Sequence, residues 1–187
     1  MSFRYEIRLS GEGGQGLVLA GKVLAEAAAI YDGKNATQSQ SYGPEARGGA
    51  SRSEVIISDE DIDYPKAVNI DLLLALTQES VTRYTGDIKE GGVLVVDDEA
   101  AGEVPAGPFR VLKLPIIRIA REKVGRVIVA NIVALGMITE VAGVVSHEAV
   151  EAAILARVPK GTEELNLKAF RAGVEAAREL VGSLQPA

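Results

Sequence analysis

The first residues of the chain alternate. Phe3, Tyr5, Ile7 and Leu9 fall on one side of an extended backbone, and Arg4, Glu6 and Arg8 on the other. Period two predicts a strand with one apolar face and one face turned to water or to a partner. Over residues 17–30 the spacing becomes helical. Leu17, Ala20, Gly21, Leu24 and Ala28 share a face, away from Lys22 and Glu26. Two unbroken apolar runs, 72–76 and 93–96, suit central strands covered on both sides. Residues 78–84 predict a short helix between them, and Gly91-Gly92 a turn into the second run. Residues 54–57 and 110–114 read as further strands. Helical spacing then dominates over 116–124, 130–141, 146–158 and 164–181. Ser146 with Ala149 marks a helix start, and Thr162 or Asn166 is the candidate cap of the last helix. Residues 33–53 are small and polar without apolar period, which predicts a loop of roughly 20 residues, a length usually reserved for function. This order predicts a single three-layer α/β/α domain over 1–187, with a mostly parallel or mixed sheet and a helical C-terminal part.

Composition narrows the chemistry. The chain has 187 residues, 47% of them apolar, enough for one substantial core and too many for global disorder. Lys and Arg number 20 against 26 Asp and Glu, a formal charge of −6, which opposes binding nucleic acid through its phosphates. There is no Trp, and aromatics are 4%, so a base-stacking surface is short of material. There is no cysteine, which excludes disulfides, zinc–thiolate sites and thiolate-held iron–sulfur clusters within this chain. The longest apolar stretch, 127–145, is broken by Asn131, Thr139 and Glu140 and falls short of the ~20 residues of a membrane helix. No basic patch followed by an apolar stretch opens the chain. A soluble, cytoplasmic protein that engages neither membrane nor nucleic acid is the expectation.

Two segments could carry chemistry. Gly11, Gly13 and Gly16 satisfy G-x-G-x-x-G between a predicted strand and a predicted helix, with Gly14 and Gln15 inside the turn. Such a turn exposes backbone amides at a helix start and can hold a phosphate. A structural turn, a phosphate-bearing cofactor and a dinucleotide all remain open. Asp32 stands near the distance of a ribose-binding acid but follows a helix, Glu12 opposes a phosphate, and no Gly-Lys-Ser/Thr closes a P-loop. The second segment runs from Gln38 to Arg52 and holds Ser41, Tyr42, Gly43, Pro44, Glu45, Arg47, Gly48 and Gly49, with Arg52 at its end. Hydrogen-bonding side chains, an aromatic ring and forked arginine donors suit binding of a carboxylate or phosphate; a solvated loop with Arg47 and Arg52 paired to Glu45 and Glu54 is the alternative. His147 at a helix start reads as an exposed first-turn residue, and Asp97-Asp98 as a turn after a central strand. The acidic run 59–63 lacks the spacing of a calcium loop. No self-sufficient catalytic set is visible.

Taken in order, GEGGQG, SYGPEARGGASRSEVIIS, DLLLALTQE and VANIVALG resemble the gamma subunit of 2-oxoacid:ferredoxin oxidoreductases over about residues 5–180. NATQSQSYGPEARGGASRSEVIISDEDIDYP and VPKGTEELN look closest to the 2-oxoglutarate enzyme. The resemblance implies an accessory subunit of a complex that converts a 2-oxoacid and coenzyme A reversibly to acyl-CoA and carbon dioxide, with two electrons to ferredoxin. It places thiamine diphosphate, magnesium and the iron–sulfur clusters in partner subunits. No cofactor is expected on this chain alone, and coenzyme A enters as co-substrate. Gly11, Gly13, Gly14, Gln15 and Gly16 become candidates for a coenzyme A vicinity or an interface, and Ser41–Gly49 for an interface, with Arg47 the leading anion-facing side chain. A stand-alone nucleotide- or coenzyme-binding protein built on the GEGGQG turn is the alternative.

Overall fold

The structure, a computed structural model, describes residues 2–42 and 50–184. Its six strands are β1 (Arg4–Glu12), β2 (Asn35–Tyr42), β3 (Ala50–Ser58), β4 (Ile70–Ala75), β5 (Ile88–Asp97) and β6 (Arg110–Leu114), in the spatial order β2-β3-β1-β4-β5-β6. β1, β4, β5 and β6 run parallel to one another. β3 pairs antiparallel with both β1 and β2. The sheet is therefore mixed, with a parallel half and an antiparallel edge.

Helices cover both faces unequally. On one face lie α1 (Leu17–Glu26), continued by a π-helical turn at Ala27–Tyr31, and α4 (Ala130–Ala142), α5 (His147–Arg157) and α6 (Glu163–Leu184). They bury Ile7, Leu9, Val55, Leu72, Leu74 and Val95 from the sheet. α3 (Ile116–Arg118), with a π-helical turn at Ile119–Val124, joins this layer. The other face is covered by α2 (Gln78–Tyr84), with Val81 and Tyr84 against Ile56, Leu73, Leu94 and Val96. Alternate residues of β4 and β5 thus enter two different cores, which is why both strands are apolar throughout. α4 is buried from Asn131 through Thr139 and forms the centre of its layer. It crosses α6 closely. A Cβ on Gly136 would strike the Phe170 carbonyl, and one on Gly173 the Val133 carbonyl.

Several expectations are corrected. The predicted loop over 33–53 contains strand β2 and the start of β3, paired from Asn35↔Ser58 to Tyr42↔Ser51. β2 is an edge strand with one partner and partial solvation. Its backbone bonds hold it, so its side chains need no apolar alternation. The polar face of β1 is not wet. Glu6 and Arg8 are 3% and 4% exposed, under the α2 side of the sheet, where carboxylates, a guanidinium and amides satisfy one another. Gly91-Gly92 lies inside β5, near an irregularity in its pairing with β4, rather than at a turn before the strand. Ser146 caps α5 as expected, accepting from Ala149 N–H at 3.2 Å. Asn166 lies within α6, where its side-chain amide donates to the Thr162 carbonyl at 2.9 Å; Thr162 directly precedes the helix.

Candidate functional site

β1 and β4 lie side by side and parallel, yet the helices that follow them pack on opposite faces. Such a switch point opens a crevice beyond the carboxyl ends of the strands, where α/β sheets gather ligands. The glycine cluster sits there. Gly11 and Glu12 end β1, and Gly13, Gly14 and Gln15 form the turn. The turn closes on itself: the Gln15 side-chain oxygen accepts from Glu12 N–H at 2.7 Å. Gly16 directly precedes α1 at φ 75°, a left-handed conformation that favours glycine. No side chain caps α1, and its first turn holds no acidic residue, so its leading amides keep their positive end. Across the crevice, Ser10 Oγ lies 2.8 Å from Ser80 Oγ, and Thr77 Oγ1 accepts from Ser80 N–H at 3.2 Å to start α2.

Sequence reasoning missed Asn131 as a site residue. Buried in the first turn of α4, it donates from Nδ2 to the Gly16 carbonyl at 3.1 Å. A Cβ on Gly16 would come within 2.5 Å of that nitrogen. The signal was present: Asn131 is the first polar residue to interrupt the longest apolar stretch. In the sequence it reads as a break, since nothing there brings residue 131 to residue 16.

The two predicted segments do meet. Gly11 pairs with Ser51 and Glu12 with Ala50, while Tyr42 pairs with the same Ser51. Ser41 and Tyr42, at the end of β2, therefore stand on the same rim of the sheet as the glycine turn, with β3 between them. Gly43, Pro44, Glu45, Arg47, Gly48 and Gly49 lie outside the described residues. Arg52 is found beside the cluster on the α2 face. There Arg8 bonds Glu54 at 2.8 Å and also pairs with Asp87. The Arg8, Arg52 and Arg83 guanidiniums stand 5.0, 5.7 and 5.6 Å from the centre of the Tyr84 ring.

Other candidates have structural roles. Asp32 accepts from the backbone N–H and hydroxyl of Ser146, each at 2.7 Å, and so ties α1 to the cap of α5. A ribose would have to compete with those bonds. Asp97 is fully buried and accepts from the backbone amides of Glu99, Ala100 and Ile117. His147 is half-buried rather than exposed: its Nε2 lies 2.9 Å from Glu140, and its ring meets Phe170 edge-on. Among the described residues, no group of three or more His, Cys, Asp or Glu is placed to hold a metal ion. No helix among them is long and apolar enough to cross a membrane.

Residues 6–176 match the pyruvate ferredoxin/flavodoxin oxidoreductase family. The chain belongs to that family. Within it, the chain is 54% identical to the 2-oxoglutarate synthase subunit KorC of Methanocaldococcus jannaschii, over 96% of this chain and 97% of the relative. Identity to KorC of Methanothermobacter thermautotrophicus is 50%, covering 94% and 96% of the two chains. The crystal structure of a keto/oxoacid ferredoxin oxidoreductase gamma subunit from Geobacter sulfurreducens superposes with a TM-score of 0.88 at 57% identity, over 95% of this chain and 98% of that one. The fold alone recurs in the 2-oxoglutarate:ferredoxin oxidoreductase of Magnetococcus marinus, at a TM-score of 0.84 and 23% identity, over 98% of this chain but 32% of that one. The unit is a gamma-type subunit of the oxidoreductase family.

Proposed function

We propose that this chain is the accessory gamma subunit of a 2-oxoglutarate:ferredoxin oxidoreductase. The complex joins 2-oxoglutarate and coenzyme A to give succinyl-CoA, carbon dioxide and two electrons for ferredoxin, reversibly. The observation that carries this is the 54% identity to KorC across nearly the full length of both chains. The fit of cofactors to residues supports an accessory role. With no cysteine, the chain has no thiolate for an iron–sulfur cluster, and its sequence offers no Gly-Asp-Gly leading to the paired Asn of a thiamine diphosphate–magnesium site. Those groups, with magnesium, then belong to partner subunits, and no step of the redox chemistry is assigned to residues here. The 1–187 chain acts as one gamma-type unit in the cytoplasm.

What the chain contributes is shape at the switch point. Gly11–Gly16 and the β2–β3 end at Ser41 and the exposed Tyr42 lie along one rim of the sheet, with β3 between them. In this reading that rim, together with Gly43, Pro44, Glu45, Arg47, Gly48 and Gly49, docks on a partner near the path of coenzyme A. Asn131 and Gln15 keep the turn in one conformation. A stand-alone nucleotide-binding protein is disfavoured by the engagement of Asp32 with Ser146.

The test is reconstitution. Partner subunits assayed with 2-oxoglutarate, coenzyme A and a low-potential dye should need this chain for full turnover, while the chain alone should be colourless and inactive. Turnover by the chain alone, or partners indifferent to its omission, would overturn the proposal.

A further inference from the structure

The two edges of the sheet are guarded differently. β6 is five residues long and exposes Arg110 and Lys113, charges that discourage a further strand. β2 runs eight residues in unbroken register with β3 and holds no charge, no proline and no bulge. Among the described residues, no strand pairs with its other edge. The bonding pattern fixes which groups stand open there. Asp59 N–H donates to the Phe3 carbonyl, so odd-numbered residues of β3 bond β1 and even-numbered ones bond β2. The partners of those even-numbered residues are Asn35, Thr37, Ser39 and Ser41. The amides and carbonyls of Ala36, Gln38, Gln40 and Tyr42 therefore point away from the sheet.

We propose that this edge binds a second copy of the chain, β2 against β2, antiparallel about a two-fold axis at Ser39. The segment is its own complement. Read outward from Ser39 in either direction, it meets Gln38 or Gln40, then Thr37 or Ser41. In this register Gln38 faces Gln40 of the other copy, and Ala36 faces Tyr42. Only this axis pairs all four open residues among themselves. Gln–Gln and Thr–Ser pairs across the strands hydrogen-bond without repulsion. Exposed apolar side chains fall together as well. Gln38 bonds Ser53 Oγ, which lies against Gly21 of α1, so Ala36 and Tyr42 share that face by alternation. There the exposed Tyr42 of one copy comes beside Ala36 of the other, where the exposed Ile30 and Tyr31 end the π-helical turn packed on β2. Such a contact uses the same surface twice and closes at two copies. It runs along β2, whereas the rim assigned above to a partner lies across the end of the strand, and the inference stands without that reading.

Sedimentation equilibrium of the full-length chain over a range of concentrations tests it. A reversible dimer is expected, with the Gln38 and Gln40 amides exchanging more slowly as it forms. Gln40→Pro removes one outward donor from each copy and no bond to β3, and should weaken the dimer about tenfold. Ser39→Lys and Ser39→Glu each set like charges opposite one another at the axis and should weaken it by about as much. An equimolar mixture of these two variants should restore the dimer, because opposite charges then meet. Amide spectra check that each variant keeps the monomer fold. A chain that stays monomeric, a dimer indifferent to the variants, or a mixture no tighter than its parents would each overturn the proposal. Gln38 and Gln40 amides that gain protection only when partner subunits are added would overturn it too, in favour of a partner's strand. None of these readouts depends on turnover, so failure here leaves the reconstitution result standing.

Discussion

Arg8 shows how much a single buried charge can organise. Its pairing with Glu54 holds β1 to β3, and its contact with Asp87 reaches the segment before β5. Replacing it leaves Glu54, 11% exposed, without its closest partner. Arg8→Ala should therefore cost about 3–5 kcal/mol in urea unfolding, while a double change of Arg8 and Glu54 to apolar residues should recover part of that loss. Gly16→Ala should cost at least ~1–2 kcal/mol from the left-handed backbone alone, and more because Asn131 must move. Tyr5 makes a pH-dependent prediction. Burial first, and then the Asp71 carboxylate, push its phenol up to about 12 from 10.0. The native state keeps a proton that the unfolded chain gives up, so this contribution is full below pH 10 and falls as pH rises toward 12. Against Tyr5→Phe, the wild type should lose on the order of 2 kcal/mol more across that window, measured by denaturant midpoints. The alternation of β1 correctly placed Glu6 and Arg8 together on one face and Tyr5 on the other. Burial of the charged face was not legible, because the partners that satisfy Glu6 and Arg8 come from residues 54, 68, 69 and 87.

Among elements, the α4–α6 crossing is the tightest contact that substitution can probe. Gly136 and Gly173 each face the other helix's backbone, so neither side can yield by turning a side chain. Gly136→Ala should force the helices apart and destabilise by roughly 1–3 kcal/mol or more in chemical denaturation, despite alanine's better helix propensity. An unchanged midpoint would contradict the close approach. The apolar periods of α1, α4 and α5 and the continuous runs of β4 and β5 were readable, since each element buries a face of its own. The hairpin of β2 and β3 was not. An edge strand of Asn, Thr, Gln and Ser carries no period; its state is decided by the backbone bonds that β3 offers it. Exposed ion pairs between elements matter less. Arg157 and Arg171 hydrogen-bond Glu26 and Glu151, holding both carboxyls below 4.5. Their contribution is complete above pH 4.5 and fades as pH falls through the lowered values, so a double Gln variant should show a flatter acid limb by a small margin.

For the molecule as a whole, the switch between β1 and β4 brings the GEGGQG turn, the Ser41–Tyr42 end of β2 and Asn131 to one rim. If that rim faces a partner, Asn131→Ala should weaken assembly of the complex more than it lowers the melting temperature of the chain alone, because it frees the turn without opening the core; analytical ultracentrifugation of the reconstituted subunits measures this. An equal loss in both would assign Asn131 to stability only. The residues by themselves established the α/β class, the order of most elements, the lack of any thiolate for metal clusters, and the family, because these depend on local periods, on composition and on motifs in order. Packing alone settled which polar residues are buried, that residue 131 meets residue 16, and that Arg52 and Arg83 gather at the Tyr84 ring. Those facts depend on contacts between distant parts of the chain, and no local pattern encodes the distance between them until the sheet has formed.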